Sequence, residues 1–286
     1  MDFSKPDVYW PYITFAVFLI TAVVVVGREF LTARGIDKAY PLGRVAIAVP
    51  IAVFGTEHFA SALDIMKMVP RYMPGRLFWT YFVGVCLFAA AVSFIFRIWI
   101  PLAASLLGIM FACFVAMMDL PGSIVSPHSR FNWTLAAREL VFSAGALLLA
   151  VTSGSRKRTR GENVVAMVAL SIVACVSIFY GIEQILHTEC VPAVPLQKVT
   201  PLWIPLAHFW TLLTGIIMII GGAAMFVPSV SRQSAAALGF WVVLLVLTLY
   251  LAIMIAKPNL EGLNYFTDTL MFGGVLLVAA RGYQRR

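Results

Sequence analysis

Long uninterrupted runs of apolar residues alternate with short polar segments along the whole chain. Runs of about 20 apolar residues are long enough to cross the hydrocarbon core of a bilayer as helices. They predict helices because the strands of a membrane β-barrel alternate apolar and polar positions instead. The predicted spans lie near 11–27, 42–60, 77–96, 99–118, 134–152, 163–184, 206–227, 236–256 and 264–280. The expected fold class is all-α, a polytopic transmembrane helical bundle with about nine spans.

One motif, P-x3-P-x3-F-W-T-x3-G, occurs twice in the chain. Its copies are Pro70–Gly84 and Pro201–Gly215, which are 131 residues apart. The same register continues from Leu107–Gly108 to Leu238–Gly239. Repetition at a fixed period indicates an internally duplicated unit. The prolines suit the first turn of a helix, and the Phe-Trp pair suits the interfacial belt of a membrane. The glycines expected to allow close helix contacts are Gly84, Gly215, Gly221 and Gly222.

The duplication predicts two four-helix units behind one leading helix. Because each unit has an even number of spans, both have the same orientation, which makes a parallel repeat about an axis along the membrane normal. A second matched element, Phe54–His58 and Tyr180–Gln184, ends the first helix of each unit. Its offset is 126 residues, so the following outer loop is five residues longer in the second unit. The predicted segments are 1–41 (leading helix and loop), 42–152 (first unit), 153–162 (basic linker) and 163–286 (second unit with a basic tail).

Composition and charge place these helices in a membrane. Hydrophobic residues make up 61% of the chain and charged residues 12%, against about 25% charged residues in soluble domains. The basic run Ser155–Arg160 is expected in the cytoplasm, which puts the N-terminus outside, the C-terminus inside and most basic loops inside. We expect a multi-pass protein of the cell inner membrane, with the lipid bilayer as its first partner. The net charge of +8 fits lipid headgroups, and no segment suits a nucleic acid.

The first span and the cysteines indicate no processing and no metal or disulfide framework. The span lacks a basic n-region, and Arg28–Phe30 follows it in place of a small-residue cleavage site, so we expect an uncleaved helix. Cys86, Cys113 and Cys175 lie inside spans, and Cys190 lies in an outer loop. No C-x-x-C occurs, so neither a thioredoxin-like pair nor a zinc ribbon is indicated. We expect Cys190 to be accessible from outside and inert rather than reactive.

Several segments of the first unit resemble a known family. They are Phe54–Phe59, Val69–Pro70, Met73–Trp79, 114–121 and 132–145. On these segments the chain resembles the DoxX-like family of small four-helix membrane proteins, over about 42–152 and more weakly over 163–280. The resemblance implies the fold and, for some members, a link to quinone-coupled sulfur oxidation or membrane oxidoreductase complexes; related proteins act as chaperones or scaffolds. Gln184 replaces His58 in the second unit, a departure from the pattern.

Ionisable residues inside spans are costly, so each is a candidate for function. They lie in the outer half of both units, which predicts two polar clusters facing one compartment. The first cluster comprises Glu57, His58, Asp119, Arg138 and Glu139, and the second Glu183, His187, His208, Lys257 and Asp268. The candidate ligand-binding residues are Glu57, His58, Trp79, Arg138, Glu183, His187 and Trp210. No catalytic residue is assigned.

Three hypotheses account for these clusters. The first is structural: Glu57–Arg138 and Glu183–Lys257 form ion pairs that clamp helices together, because an unpaired charge at this depth is costly. The second is a quinone site, in which His58 and Glu57 donate hydrogen bonds and protons. Its aromatic lid would be Phe59, Trp79 and Tyr81. The third is the binding or passage of a small amphipathic molecule.

The sequence disfavours several other chemistries. His58 and His187 each lack a second histidine one helical turn away, so a metal or haem site is not favoured. No P-loop, G-x-S-x-G, H-E-x-x-H or dinucleotide fingerprint occurs. We expect a membrane component of a redox or quinone-linked process with a membrane or periplasmic redox partner. The alternative is a non-catalytic protein for small-molecule or lipid binding, transport or scaffolding.

Overall fold

A computed structural model describes residues 5–154, 157–194 and 197–283 of the chain. Within these ranges, nine helices are long and apolar enough to cross a membrane. They are α1 Pro6–Thr32, α2 Ala39–Ala60, α3 Arg76–Phe96, α4 Ile100–Val125, α5 Arg130–Thr152, α6 Arg160–Leu186, α7 Ala207–Ala224, α8 Ser231–Ala256 and α9 Leu260–Gly282. The prediction of a polytopic all-α bundle is confirmed, and the chain is a multi-pass membrane protein.

Two long helices contain a turn of π-helix at corresponding positions. The π-helical turns are Val115–Asp119 in α4 and Val246–Tyr250 in α8, and they are 131 residues apart, the period of the sequence motif. Turns of this kind are rare and are frequently found at functional sites. The π-helical turns therefore repeat with the period of the motif, although they lie outside the motif itself. The structure also makes α4 longer than the predicted span, so that Asp119 lies within the helix.

The duplicated motif forms the same local structure in both units. Gly75 and Leu206, the residues before α3 and α7, both adopt the left-handed conformation, with φ of 63° and 55°. The ring centroids of Phe78–Trp79 are 5.4 Å apart and those of Phe209–Trp210 are 5.5 Å apart, each edge to face. The motif thus builds a turn, a helix start and an aromatic pair at one end of the bundle, but its prolines precede the helices instead of lying in their first turns.

The two units interlock through their first and last helices. In the first unit α2 packs along α3 and α4 along α5, and in the second α6 packs along α7 and α8 along α9. Between the units, α2 packs on α9, α5 on α6, and α5 on α9. The leading helix α1 packs on α2, where the Thr56 hydroxyl donates to the Thr14 hydroxyl at 2.7 Å. Each unit therefore completes the other instead of forming a separate bundle.

The contact between α5 and α9 lies on the pseudo-twofold axis of the duplication. These helices begin 130 residues apart, so Arg138 corresponds to Asp268 and Gly145 corresponds to Val275. Both pairs are in contact. The Arg138 guanidinium lies 2.6 Å from the Asp268 carboxylate, and a Cβ atom on Gly145 would lie 2.2 Å from a methyl group of Val275. Direct contact between corresponding residues is what an axis running between the two helices requires.

Glycines bring helices into close contact at the predicted positions. A Cβ atom at Gly84 would lie 3.0 Å from the Cβ atom of His58 on α2. At Gly215 it would lie 2.9 Å from the carbonyl oxygen of Gly181 on α6. Gly221 and Gly222 are similarly crowded, against α8 and α6. The expectation that these glycines allow close helix contacts is confirmed.

The bundle has two distinct ends. We call the end that carries loops 61–75, 126–129, 187–206 and 257–259 the long-loop end, and the opposite end the short-loop end. The long-loop end corresponds to the outer side predicted from the sequence. At the short-loop end, the Arg44 side chain is 1% exposed and pairs with Glu29 at 2.5 Å, which holds α1 to α2. Parts of the basic linker (155 and 156) and of the basic tail (284–286) lie outside the described residues.

Candidate functional site

A cavity of about 590 Å³ opens in the first unit near the long-loop end. Its walls come from α2, α3, α4, α5 and the loop 61–75, and α9 of the second unit closes one side. This volume lies within the roughly 300–1,000 Å³ of typical small-molecule sites. Although the cavity belongs to the first unit, it needs a helix of the second unit to complete it.

Eleven methionine and aromatic side chains line the cavity. They are Phe54, Met68, Met73, Trp79, Phe82, Met110, Phe111, Phe114, Met117, Met118 and Phe142. Methionine is flexible and polarizable, so such a wall adapts to the shape of an apolar ligand. Phe82 of α3 and Cys113 of α4 line the cavity and are also exposed on the flank of the bundle. Part of the cavity wall is therefore exposed on the flank of the bundle, on α3 and α4.

The polar part of the lining forms what we call the acidic floor. The floor comprises Glu57, Asp119, Arg138, Glu139, Asn264 and Asp268. Arg138 donates to Asp268 at 2.6 Å and to Glu139 at 2.8 Å. The floor therefore has four carboxyl groups and one guanidinium group, which binds two of them.

Three carboxyl oxygens of the acidic floor have no hydrogen-bond partner among the described residues. They are Glu57 Oε1, Asp119 Oδ2 and Glu139 Oε2, and all three are buried. Leaving a buried polar group unpaired costs about 1–3 kcal/mol. Holding helices together would not require this cost, since a clamp is most stable when every group is paired. The floor therefore has more hydrogen-bonding capacity than the protein itself uses.

The predicted ion pair Glu57–Arg138 is wrong. Glu57 accepts only a long hydrogen bond, 3.4 Å, from the Asn264 amide. Arg138 turns instead to the neighbouring Glu139 and to Asp268, because α5 faces α9 across the pseudo-twofold axis. Asp268, which the sequence placed in the second polar cluster, is thus a member of the first.

The predicted pair Glu183–Lys257 is also wrong. Glu183 pairs with Arg130 at 2.5 Å, and both side chains are mostly buried. Arg130 starts α5, which packs along the α6 helix that carries Glu183. The pair therefore joins the two units, whereas the predicted one would have lain within the second.

The cavity brings together four of the seven candidate residues: Glu57, His58, Trp79 and Arg138. His58 Nδ1 lies 2.7 Å from the carbonyl oxygen of Phe54. Since a carbonyl only accepts hydrogen bonds, Nδ1 carries the hydrogen, and Nε2 of the neutral ring is an acceptor. Trp79 donates its indole N–H to the carbonyl of Pro74 at 3.1 Å, which holds its ring against the loop 61–75.

The other candidate residues, all of the second unit, do not form a site. Glu183 is taken up by its ion pair with Arg130. His187 contacts Glu189 at 3.4 Å in a partly exposed loop, and Trp210 is 37% exposed on the flank of the bundle. Of the second predicted polar cluster, Asp268 lies in the cavity of the first unit, and His208 contacts the Thr188 hydroxyl at 3.0 Å beside His187.

The predicted aromatic lid is also only partly correct. Phe59 and Tyr81 stack on each other with ring centroids 5.7 Å apart and do not line the cavity. Trp79 remains, and Phe82, one turn further along α3, takes the place of Tyr81. A one-residue shift along a helix turns a side chain by about 100°, which is why the aromatic run alone did not show which ring faces inward.

A buried segment of the second unit occupies the position that corresponds to the cavity. We call this segment, residues 190–194, the plug; its residues are buried against α6, α7 and α8. Gln184 both donates to and accepts from the Ala193 backbone, each at 3.2 Å. Thr211 donates to the Cys190 carbonyl at 2.7 Å, and Tyr250 donates to the Pro192 carbonyl at 2.5 Å. The longer loop of the second unit thus fills its own cavity.

The plug also corrects the expectation for Cys190. The sequence placed this residue in an accessible outer loop, but it is 3% exposed, and its sulfur lies 3.6 Å from an Arg130 nitrogen. The loop folds back between the helices and buries the thiol. Labelling of Cys190 from outside is therefore no longer expected.

Sequence reasoning missed two polar residues that line the cavity, Thr80 and Asn264. Thr80 carried a signal, because it is the threonine of the repeated Phe-Trp-Thr motif and was interpreted only as part of a helix start. Asn264 carried none, since its place in the first cavity depends on how α9 packs on α2.

No protein-family model, curated protein or solved structure matches the chain. Its site is therefore interpreted from its own geometry. In the described part of the chain, no group of three or more His, Cys, Asp or Glu side chains is arranged to hold a metal ion.

Proposed function

We propose that this protein binds a membrane-soluble amphipathic molecule in the cavity of the first unit. Its polar head would lie on the acidic floor, and its apolar part would lie against the methionine and aromatic wall, toward the flank of the bundle at α3 and α4. The observation that carries the proposal is the combination at one site: unpaired buried oxygens of Glu57, Asp119 and Glu139 in an apolar cavity. Pockets with apolar walls and a few convergent polar groups are typical ligand sites.

Within this proposal, a quinone-linked role is one of two candidates. A flat ring fits between methionine and aromatic side chains, and His58 with the floor carboxyl groups can exchange protons with a quinone head. The electrons would come from a membrane or periplasmic redox partner. The resemblance to the DoxX-like family supports the same class. The alternative is binding, transport or scaffolding without catalysis, which the cavity supports equally if its occupant is another amphipathic molecule.

The experiment compares two substitutions on α3. Val83 lines the cavity, whereas Val85 is 57% exposed on the flank and does not. Val83→Trp should fill the cavity, and Val85→Trp should not. We expect the purified wild type and Val85→Trp to retain a molecule that extraction and mass spectrometry detect, and Val83→Trp to lose it.

The extracted molecule decides between the candidates. A quinone supports the redox-linked role, and another amphipathic molecule supports the non-catalytic alternative. Equal amounts of every extracted lipid in the two variants would show that the cavity holds nothing and would remove the proposal.

We further propose that the protein lies in the inner membrane with its long-loop end and N-terminus outside and its C-terminus in the cytoplasm. The predicted excess of basic residues at the short-loop end supports this orientation. Ser126 and Ser229 are exposed at the long-loop and short-loop ends, respectively.

A cysteine introduced at Ser126 should react with a membrane-impermeant maleimide in intact cells, and a cysteine at Ser229 should react only after the membrane is opened. Native cysteines provide the background: Cys113 and Cys175 lie in helices that span the bilayer, and Cys190 is buried. The reverse labelling pattern would invert the proposed orientation and leave the fold intact.

A further inference from the structure

We infer that His58, Thr80 and Asp119 hold the head group of the cavity's occupant, and that this head group is a protonated amine. The inference rests on the proposed function, because it assumes that the cavity binds a molecule. It goes further by naming the contacts and the chemical class. The argument comes from the plug, which shows how the corresponding space of the second unit is occupied.

Three residues that bind the plug correspond to three residues that line the cavity. The matched ends of α2 and α6 relate His58 to Gln184, at the offset of 126 residues. The repeated motif relates Thr80 to Thr211, and the π-helical turns relate Asp119 to Tyr250. Since the two units share helix order and packing, these positions surround equivalent spaces.

The backbone of the plug is uncharged and is held by neutral groups, while Arg130 contacts only the sulfur of Cys190. The polar atoms of the plug are backbone amides and carbonyls, and they are bound by a carboxamide (Gln184), a hydroxyl (Thr211) and a phenol (Tyr250). The second unit therefore shows which contacts this fold uses for an uncharged occupant.

The first unit replaces neutral groups with acids at the same places. Asp119 stands where the second unit has Tyr250, and Glu139 stands where it has Thr269. Asp119 is 9% exposed, lines the cavity and has an unpaired carboxyl oxygen. Arg138 is bound to Asp268 and Glu139, so one guanidinium group faces four carboxyl groups. The cavity thus differs from its filled counterpart by added acidic groups, whose ionised form a cationic occupant would balance.

His58 and Thr80 can both accept hydrogen bonds, which is what a cationic head group requires. His58 uses Nδ1 as a donor to Phe54, so its other nitrogen accepts in the neutral ring. Thr80 donates its hydroxyl to the carbonyl of Arg76 at 3.1 Å, which leaves its lone pairs as acceptors. An ammonium group has three donors and no acceptor, so it suits a lining of acceptors such as His58 Nε2, the Thr80 hydroxyl and an Asp119 carboxylate. Trp79 in the wall adds an aromatic face, to which cations are attracted.

The test measures binding of radiolabelled dodecylamine to the full-length protein in lipid nanodiscs, with empty nanodiscs as the blank. Dodecanol, which has the same tail and a neutral head, and decylubiquinone, whose head only accepts hydrogen bonds, are the comparison probes. We expect the amine to bind at least about tenfold more tightly than dodecanol, as one charge-assisted hydrogen bond would give.

Two variants locate the contact. Asp119→Asn keeps the side-chain size, and Glu139→Thr copies the second unit; each should weaken amine binding about tenfold. Asp64→Asn is the matched control, because Asp64 lies in the loop 61–75 with its side chain 79% exposed and paired with Lys67. It should bind the amine like the wild type. Monodisperse elution of each variant shows that it is folded.

Amine binding that is unchanged in Asp119→Asn would overturn the inference, whatever the result for Glu139→Thr. So would decylubiquinone or dodecanol binding as tightly as the amine; the cavity would then still bind an amphipathic molecule, and the proposed function would survive. If no probe binds and Val83→Trp retains the same lipids as the wild type, the proposed function itself fails.

Discussion

Arg138→Gln is expected to lower the free energy of unfolding by about 3–5 kcal/mol, the usual cost of removing one partner from a buried ion pair. Arg138 is the only guanidinium group of the acidic floor, and it is bonded to both Asp268 and Glu139. Its loss leaves carboxyl groups of two helices facing each other without a cation. Denaturant titration of the detergent-solubilised protein measures the loss.

Two controls make this result specific. Lys67→Gln removes an exposed ion pair in the loop 61–75 and should change stability by less than about 1 kcal/mol. Glu57→Gln should also have little effect, since Glu57 has no ion-pair partner in the structure. Adding Asp268→Asn to Arg138→Gln should restore part of the stability, because one of the two unpaired acids is gone. A larger rescue by Glu57→Gln would favour the pair predicted from the sequence over the observed one.

The second large effect is expected at Gly145, where α5 crosses α9 on the pseudo-twofold axis. A Cβ atom there would lie 2.2 Å from a methyl group of Val275. Gly145→Ala should therefore destabilise the protein by about 1–3 kcal/mol, the typical cost of overpacking, although alanine favours a helix. The same denaturant titration measures the change.

A matched substitution and a compensating one complete this test. Gly27 in α1 has open space at its Cβ position, so Gly27→Ala should be neutral or stabilising. Val275→Ala in the Gly145→Ala background removes the two methyl groups that crowd the new Cβ atom and should recover part of the loss. A Gly145→Ala variant as stable as the wild type would show that α5 and α9 do not meet closely at this point.

The main features of the fold were predictable because they are local. An apolar run of about 20 residues crosses a membrane as a helix whatever its neighbours are, so nine spans followed from hydropathy. The duplication followed from a motif at a fixed period, and the structure adds the matching π-helical turns of α4 and α8. The ends of the helices were predicted less accurately than their number; the fourth span was predicted near 99–118, but α4 extends to Val125. The motif residues before the Phe-Trp pair do form corresponding turns, at Gly75 and Leu206.

The sequence predicted where the candidate site lies, but it did not predict which of its charged residues form ion pairs. Glu57, His58, Trp79 and Arg138 do share one cavity, because all four lie at the same end of neighbouring helices. Which charges pair depends on how each helix is rotated and on what faces it, and hydropathy does not contain this information.

By itself, the sequence determined a membrane bundle of two repeated units with its ionisable groups at one end, since these properties depend on span length, spacing and composition. Only the tertiary structure showed that the first unit has a cavity, whereas the plug fills the corresponding space of the second unit. Arg138 pairs with Asp268, 130 residues away, because α5 and α9 meet on the axis. A loop five residues longer reaches back into the second unit and satisfies Gln184, Thr211 and Tyr250. The shorter loop of the first unit lines its cavity without filling it, so acidic groups remain available there.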